Sequence, residues 1–179
     1  MEYDFTLALT GISELTDDGT HALFEAGCAD ATFSVRFGRI YATFTRTAPA
    51  IKEAIFSAIA DIRKAGIGAD ILRVDVPGLV TQSDIARKIG RTRQLVNQYL
   101  TGKRGPGGFP APACEINDGA PVWYWSEVAA WLWEHDMLQE HLLREAEQVD
   151  VINSVLDVEH MRQTKPELTA EVMRAVGAK

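Results

Sequence analysis

The stretch that decides the fold covers residues 81–112 and has the sequence TQSDIARKIGRTRQLVNQYLTGKRGPGGFPAP. Thr81 is a residue type that caps helix N-termini well, and the apolar positions after it recur at the spacing of one helical face. Those positions are Ile85, Ala86 and Ile89. Gly90 supplies the left-handed conformation that ends a helix, and Thr92 can cap the next one. The sequence therefore predicts two helices joined by a sharp turn.

The second of these helices has an apolar face and a polar face. Its apolar side chains are Leu95, Val96, Tyr99 and Leu100. Its outward-facing side chains are Thr92, Arg93, Gln94, Asn97 and Gln98. Arg pairs with guanine and Asn or Gln pairs with adenine, and the first turns of a recognition helix reach the major groove. These five residues are therefore predicted to contact base edges of double-stranded DNA.

Basic side chains surround this helix in the sequence. Those predicted to contact the DNA backbone are Arg87, Lys88, Arg91, Lys103 and Arg104. Residues 81–110 carry 6 Lys/Arg and 1 Asp/Glu, residues 1–76 carry 7 and 11, and residues 111–179 carry 5 and 13. A net charge of −7 argues against a protein that coats nucleic acid. A basic segment in an acidic chain instead favours local attraction of phosphate by a site-specific DNA-binding protein.

The segments after the second helix predict a wing. Residues 105–112, GPGGFPAP, cannot form a helix and are too rich in glycine for a central strand, so they predict a loop. Residues 114–116 and 122–125 are short extended segments, joined by the hairpin signal Asn117-Asp118-Gly119. Ser126 is then predicted to cap a helix that packs back on the first two. Its packing residues are Val128, Trp131 and Leu132.

This order of segments resembles the winged helix-turn-helix of the MerR superfamily, in its AlpA or excisionase-like branch. The resemblance covers about residues 79–134 and rests on DIARKIGRTRQLVNQYL, FPAP and PVWYWSEVAAWL. Ala86, Gly90 and Val96 fall where such motifs have a small residue, a turn glycine and a buried aliphatic residue. Arg91 departs from the pattern, because an aliphatic residue is usual there; it weakens the packing of the turn or adds a cation at the DNA.

The resemblance implies a sequence-specific DNA-binding transcriptional regulator. Two alternatives remain open. The excisionase-like branch also contains factors that bend DNA to direct recombination, which strong bending at adjacent sites would distinguish. Winged helices also serve as protein-interaction modules, such as antitoxin-like adaptors, and failure to select any DNA motif would favour that function.

Residues 1–76 predict a ferredoxin-like domain. Strands alternate with helices in the order strand-helix-strand-strand-helix-strand, which gives four antiparallel strands with both helices on one face. The first strand is predicted at residues 3–11, a helix follows from Ile12–Leu15 to about Gly27, and a tight turn is predicted at Gly38-Arg39. The second helix has a regular apolar stripe formed by Ile51, Ala54, Ile55, Ala58, Ile59 and Ile62.

The other face of this sheet is predicted to be polar. It would carry Thr6, Thr10, Thr32, Ser34, Arg36, Tyr41, Thr43 and Thr45. Such a face is either solvated or covered by a protein partner, a small-molecule effector or RNA. RNA is disfavoured, because residues 39–44 mostly lack the stacking aromatic residues of an RNA-recognition motif and the segment is acidic.

The predicted organisation is α+β, with a ferredoxin-like domain over residues 1–76, the winged helix-turn-helix over residues 77–134, and a helical tail over residues 135–179. Pro77-Gly78 is expected to be a short linker. The tail is predicted to be helical, with a bend near Asp136, and its apolar stripe is formed by Leu138, Leu142, Val149, Ile152, Val155, Leu156 and Met161. Because such a stripe is buried against its own domain or another subunit, the sequence predicts a homodimer to which the tail contributes.

Several other functional classes have no support in the sequence. No apolar run approaches the ~20 residues of a membrane span and no signal peptide is evident, so a cytoplasmic location is expected. Cys28 and Cys114 form no disulfide framework and are expected to be small buried residues. The four histidines form no metal-binding motif, and no nucleotide-binding loop or nucleophile motif appears. The sequence therefore predicts no metal, no cofactor and no enzymatic activity.

Overall fold

The structure of the chain is a computed structural model that describes residues 1–116 and 120–177. Within those residues it is a mixed α+β protein with seven helices and two antiparallel sheets. No helix in the described part of the chain combines the length and the apolarity that crossing a membrane requires. The chain divides into unit 1, Met1–Val76 with Val151–Lys179, and unit 2, Pro77–Asp150. The expected tail of residues 135–179 is thus shared between the two units.

Unit 1 contains a four-stranded antiparallel sheet with the strand order β2-β3-β1-β4. Its elements in chain order are β1 (Glu2–Thr10), α1 (Asp17–Ala26), β2 (Ala31–Arg36), β3 (Arg39–Thr47), α2 (Ile51–Lys64) and β4 (Asp70–Val74). Helix α1 begins later than predicted, because the Thr16 side chain caps it by accepting a hydrogen bond of 3.1 Å from the Gly19 amide.

The β2–β3 hairpin turns at Phe37-Gly38, and the sequence-based placement at Gly38-Arg39 is wrong. Phe37 and Gly38 have φ angles of 52° and 74°, and Arg36 pairs with Arg39 across the two-residue loop. Two consecutive positive φ angles are what a tight hairpin turn needs to match the strand twist. Val35 is 61% exposed, because it lies on edge strand β2, one residue before the pair that closes the hairpin.

The core of unit 1 lies between the sheet and its helices. The predicted stripe of α2 is confirmed at five of its six positions, since Ile59 is only partly buried; the buried residues are Ile51, Ala54, Ile55, Ala58 and Ile62. On the sheet, Phe5 and Phe44 stack with ring centroids 5.4 Å apart.

The two cysteines differ in their surroundings. Cys28 is buried as expected, and burial, together with Asp61, raises the pKa of its thiol to about 11. Cys114 in unit 2 is exposed, so the prediction that it is buried is wrong.

Arg46 of β3 links the sheet to α2 and to the end of α1. Its guanidinium donates to both carboxylate oxygens of Asp30 at 2.7 and 2.8 Å and to Asp61 at 2.9 Å. It also donates to the hydroxyl of Ser57 at 2.9 Å and to the Gly27 carbonyl at 3.1 Å. The Arg46 side chain is only 11% exposed, and its hydrogen bonds to Asp30 lower the pKa of that carboxyl group.

Two further helices follow in the chain, α6 (Glu140–Thr164) and α7 (Pro166–Ala175), and the part of α6 from Val151 onward belongs to unit 1. There the buried side chain of Asn153 binds the backbone of β4. Its amide oxygen accepts from the Val74 N–H at 2.8 Å, and its amide nitrogen donates to the Val74 carbonyl at 3.1 Å. These bonds satisfy backbone groups that an edge strand leaves unpaired.

The elements of unit 2 in chain order are β5 (Leu79–Thr81), α3 (Gln82–Lys88), α4 (Arg93–Leu100), β6 (Cys114–Ile116), β7 (Ala120–Tyr124), α5 (Trp125–Glu134) and the first part of α6. Its three strands form a small antiparallel sheet with the order β5-β7-β6. Strand β5 was not predicted. It forms because Leu79 pairs with Tyr124 and Thr81 with Val122. The predicted turn at residues 117–119 lies outside the described residues.

The helices after the wing differ from the prediction in two places. Ser126 does not cap α5; the helix begins at Trp125, and the Ser126 hydroxyl donates to Asp150 at 2.6 Å. The helical segment expected to bend near Asp136 is instead broken there, since α5 ends at Glu134 and Asp136 has a φ angle of 57°. A left-handed residue of this kind is incompatible with a continuous helix.

Replacing Arg46 with Ala should lower the free energy of unfolding by about 2–3 kcal/mol at pH 7, because it leaves Asp30 and Asp61 without their partner. This value lies between those of buried and exposed ion pairs, since the two carboxylates are 31% and 27% exposed. Urea denaturation of both proteins measures the difference. Arg36→Ala is the control, since its ion pair with Asp75 is half-exposed and should contribute less than about 1 kcal/mol.

The loss at Arg46 should also depend on pH. The pKa of Asp30 is lowered in the folded protein, so its contribution is complete above the ordinary pKa of about 3.9 and disappears as the pH falls through the folded-state value. The stability difference between the parent and Arg46→Ala should therefore be constant from pH 5 to 7 and shrink below about pH 4. A difference that stays constant down to pH 2.5 would show that the Asp30 carboxylate contributes little.

Candidate nucleic-acid interface

Helix α3 is fixed at its start by a capping box. The Thr81 hydroxyl accepts from the Asp84 amide at 3.3 Å, and the Asp84 carboxylate accepts from the Thr81 amide at 2.9 Å. The hydrogen bonds from Thr81 lower the pKa of Asp84, which also forms an ion pair with Arg87. The predicted cap at Thr81 is confirmed.

The turn between α3 and α4 follows the sequence prediction. Gly90 has a φ angle of 62°, and the Arg91 amide donates to the Ala86 carbonyl at 2.9 Å, which closes α3. The Thr92 hydroxyl accepts from the Leu95 amide at 3.2 Å and so caps α4. Accepting this amide uses one lone pair of the hydroxyl, so its proton and its second lone pair remain for an outside partner.

Helix α4 is held by a compact apolar core beneath it. The core consists of Val80, Ile85, Ala86, Val96, Trp123, Val128, Trp131 and Leu132. Val96 is the fully buried residue of α4, which places the opposite side of the helix toward solvent. Arg93, Gln94 and Asn97 are exposed there, whereas Gln98 is partly buried.

Arg93 is oriented by a residue that sequence analysis did not select. Its Nε donates to the side-chain oxygen of Gln82 at 3.3 Å, and the Gln82 side-chain nitrogen donates to the Arg93 carbonyl at 3.3 Å. The two terminal nitrogens of the guanidinium remain available for a bidentate contact. The one sequence signal for Gln82 was that an amide residue directly follows the helix cap at Thr81. Its distance from Arg93 along the chain gave no reason to link the two residues.

The five predicted backbone-contacting cations have different surroundings. Arg87 pairs with Asp84, and the Lys88 ammonium lies 4.9 Å from the ring centroid of Trp125. Loss of hydration lowers the pKa of Lys88 there. The other three, Arg91, Lys103 and Arg104, are exposed and form no ion pair with any residue in 1–116 or 120–177.

Lys103 and Arg104 are held in place through their backbone. Both of their amides donate to the carbonyl of Gln98, at 2.9 and 3.1 Å, and Gly102 between the helix and these residues has a φ angle of 65°. The chain therefore reverses immediately after α4, and two cations follow the reversal at a fixed position. Their side chains are free to reach a phosphate.

The glycine-rich loop after these cations is docked onto the core by two tryptophans. The indole N–H of Trp131 donates to the Gly107 carbonyl at 2.9 Å, and that of Trp123 donates to the Pro110 carbonyl at 3.0 Å. Phe109 packs against both rings, with centroids 4.9 Å from Trp131 and 6.2 Å from Trp123. The segment predicted as a loop is thus held in place against the core of unit 2.

The chain was compared with protein-family models, with curated proteins and with solved structures, and none of the three comparisons gave a significant match. Within the described residues, no cluster of three or more His, Cys, Asp or Glu side chains could hold a metal ion.

Replacing Trp131 with Phe should loosen the glycine-rich loop, because the ring is retained but the bond to the Gly107 carbonyl is lost, at a cost of about 1 kcal/mol. Trypsin should then cleave faster after Lys103 or Arg104, which mass spectrometry of the fragments would measure. Trp133→Phe is the matched control, since Trp133 lies on the same helix but is exposed. Equal cleavage rates in both variants would mean that the indole bond does not restrain the loop.

Proposed function

We propose that this protein is a sequence-specific DNA-binding transcriptional regulator, with α3 and α4 acting as a winged helix-turn-helix similar to that of the MerR superfamily. The observation that carries the proposal is the outer face of α4. Arg93, Gln94 and Asn97 are exposed there in its first turns, on a helix whose other side is fixed in the core. Side chains of these types in such a position match the hydrogen-bonding edges of guanine and adenine.

The cations support the proposal through their placement. Arg91 precedes α4, and Lys103 and Arg104 follow it, so that unpaired positive charge lies at both ends of the base-contacting helix. Phosphates flank the major groove on both sides, and contacts at both ends of a helix fix its register along the duplex. Arg87 and Lys88 contribute less, because each already has a partner within unit 2.

The remaining elements have subsidiary functions in this proposal. The hairpin of β6 and β7 is the wing. The strand order β2-β3-β1-β4 with two crossing helices supports a ferredoxin-like fold for unit 1, whose polar sheet face would receive an effector or a protein partner. The proposal includes no catalytic step, and it keeps the cytoplasmic location expected from the sequence.

The experiment that tests the function is selection of random duplexes by the purified full-length chain, followed by sequencing of the bound fraction. A recurrent motif is the expected result. Failure to enrich any motif would contradict DNA recognition and favour a protein-interaction module. Enrichment of several adjacent sites, with strong bending of the bound duplex, would instead favour a recombination factor.

Arg93→Ala and Lys103→Ala should affect DNA binding differently. Arg93→Ala should weaken binding to the selected site by roughly 1–3 kcal/mol and relax the preference at one base pair. Lys103→Ala should weaken all duplexes alike and lower the slope of log affinity against log salt by about one. A salt titration on the selected and a scrambled duplex measures both effects, with Arg144→Ala, outside the basic segment, as the control. Equal weakening of both duplexes by Arg93→Ala would show that α4 does not contact bases.

Gln82 should act through Arg93. Gln82→Ala should weaken binding to the selected site severalfold, because the guanidinium then loses the bond that orients it. In an Arg93→Ala background, Gln82→Ala should have no further effect. The non-additivity in this double-mutant cycle measures the coupling between the two residues. Additive losses would mean that Gln82 contacts the DNA independently.

A further inference from the structure

The outer face of the unit 1 sheet gathers three arginines at one end. The buried residues of β3 alternate with Arg39 and Tyr41, which places these two on the side away from the core. Arg36 pairs with Arg39 across the hairpin, and Ala8 of β1 pairs with Tyr41 on one side and with Arg73 of β4 on the other. Tyr41 and Arg73 are therefore two strands apart, or about 10 Å between their Cα atoms. We call Arg36, Arg39, Tyr41 and Arg73 the arginine face.

A β-bulge in β4 turns Arg73 toward the arginine face. Ile71 pairs with Leu9 and Arg73 pairs with Ala8, so β4 has one residue more than β1 between these two pairs. In a regular strand, residues two apart share a face, and Arg73 would lie on the core side with the buried Ile71. The extra residue instead places a cation on the outer side. Bulges next to functional sites re-aim side chains in this way.

Two of these arginines keep hydrogen-bond donors for an outside anion. Nη1 of Arg39 donates to the Leu9 carbonyl at 3.2 Å, which leaves its Nε and Nη2. This bond brings the Arg39 guanidinium to β1, one residue from Ala8, the partner of Arg73. Arg73 makes one long hydrogen bond, from its Nε to the Val74 carbonyl at 3.5 Å. Neither guanidinium forms an ion pair with any residue in 1–116 or 120–177.

Arg36 and Tyr41 form a flat platform beside these donors. The Cζ atom of Arg36 lies over the Tyr41 ring, 3.9 Å from its centroid, and Asp75 holds the guanidinium there through an ion pair of 3.4 Å. The Arg36 side chain is 49% exposed, so the side of the guanidinium away from the ring is accessible. Guanidinium planes of this kind stack on the planar rings of nucleobases. Because Asp75 is already paired with Arg36, the positive charges of Arg39 and Arg73 remain for a ligand.

The opposite end of the same sheet face limits the size of that ligand. Glu2 and Asp4 alternate with the buried Tyr3 and Phe5 on β1, so they lie on the outer side, and both are exposed. Acidic side chains also outnumber basic ones over residues 1–76, by 11 to 7. A polyanion laid across this face would meet the carboxylates, whereas a small anion would contact only the arginine end.

We propose that the arginine face binds a small phosphate ester with a planar ring, of the nucleoside monophosphate class. Arg39 and Arg73 bind the phosphate, because their planar forks of donors match its oxygens, and the ring stacks on Arg36. The inference rests on the part of the proposed function that assigns an effector to this sheet face, and it names the chemical class of the effector. No residue of unit 2 enters it, so binding is tested without DNA.

Isothermal titration calorimetry of the full-length chain tests the inference, with adenosine monophosphate and cytidine monophosphate as the probes. At least one of them should bind about tenfold tighter than either its nucleoside or inorganic phosphate, because it makes both contacts at once. Absence of binding by both monophosphates at millimolar concentration would overturn the inference. Inorganic phosphate bound as tightly as the monophosphates would show that no ring is recognised, which would also overturn it.

Three substitutions identify the site. Arg73→Gln should weaken monophosphate binding about fivefold or more, because one fork of donors is lost. Tyr41→Thr removes the platform without changing the charge, so it should weaken binding of the monophosphate and leave that of inorganic phosphate unchanged. Lys64→Gln is the matched control, since it removes one positive charge from the exposed end of α2 and should change the affinity less than about twofold. Equal losses in Lys64→Gln and Arg73→Gln would mean that net charge alone attracts the ligand, contrary to the proposal.

Thermal unfolding close to that of the parent would show that Arg73→Gln and Tyr41→Thr are folded. If both unfold, Arg39→Lys replaces them: it keeps the charge but loses the planar fork, and it should still weaken monophosphate binding. A single-stranded oligonucleotide that binds far more tightly than the monophosphates, and loses this affinity in Arg73→Gln, would assign the face to nucleic acid and overturn the inference. Monophosphate binding by a chain that selects no DNA motif would leave this site standing while removing the proposed regulator, and the reverse result would remove only the site.

Discussion

The geometry of the candidate interface depends on one buried side chain, Trp131 of α5. Its ring lies 5.5 Å from Tyr99 of α4 and 4.9 Å from Phe109 of the glycine-rich loop, and its N–H is bonded to the Gly107 carbonyl. One residue therefore positions both the helix with the exposed polar face and the loop that follows it. A loop with several glycines loses much conformational entropy when it is ordered. The indole hydrogen bonds and the burial of Phe109 offset that loss, so the cations before the loop stay beside α4.

In the short helices of unit 2, the side chains that support the fold differ from those proposed to contact DNA. Helices of seven and eight residues are too short to be stable alone, so their ends must be satisfied by caps and their apolar faces by the core. The hydroxyls of Thr81 and Thr92 accept hydrogen bonds from the first amides of their helices. The Gln98 carbonyl accepts hydrogen bonds from the amides of Lys103 and Arg104 in the turn after α4. The side chains of Gln94 and Asn97 have no such task, and that of Arg93 makes one exposed hydrogen bond, to Gln82. The proposed DNA contacts therefore use residues whose replacement would cost the fold little.

The sequence predicted the features that depend on residues close together in the chain, and it missed those that depend on residues far apart. The caps at Thr81 and Thr92, the turn at Gly90 and the stripe of α2 each depend on residues within a few positions of one another, and all were predicted. Strand β5 depends on pairing with β7, and the bonds between Asn153 and Val74 join positions 79 residues apart, so neither has a local signal.

Two other features were missed for different reasons. Positive φ angles favour glycine or asparagine, so Phe37 in the hairpin turn was unexpected. Gln82 was missed because its bond to Arg93 crosses between two helices.

The distribution of charge decides how the proposed regulator would discriminate between DNA sequences. Three unpaired cations, Arg91, Lys103 and Arg104, would give a salt slope of only about −3 for one copy. Acidic residues outnumber basic ones in the rest of the chain, which weakens attraction to an arbitrary duplex further. Weak anchoring on phosphates leaves base contacts as the larger share of the binding free energy, which widens the ratio of specific to non-specific affinity. A second copy in the homodimer expected from the sequence would multiply this ratio, because each copy brings its own base-contacting helix while the repulsion by the acidic surface also doubles. The low basic content of the chain thus fits a proposed regulator whose weakly anchored copies bind tightly only where both find their bases.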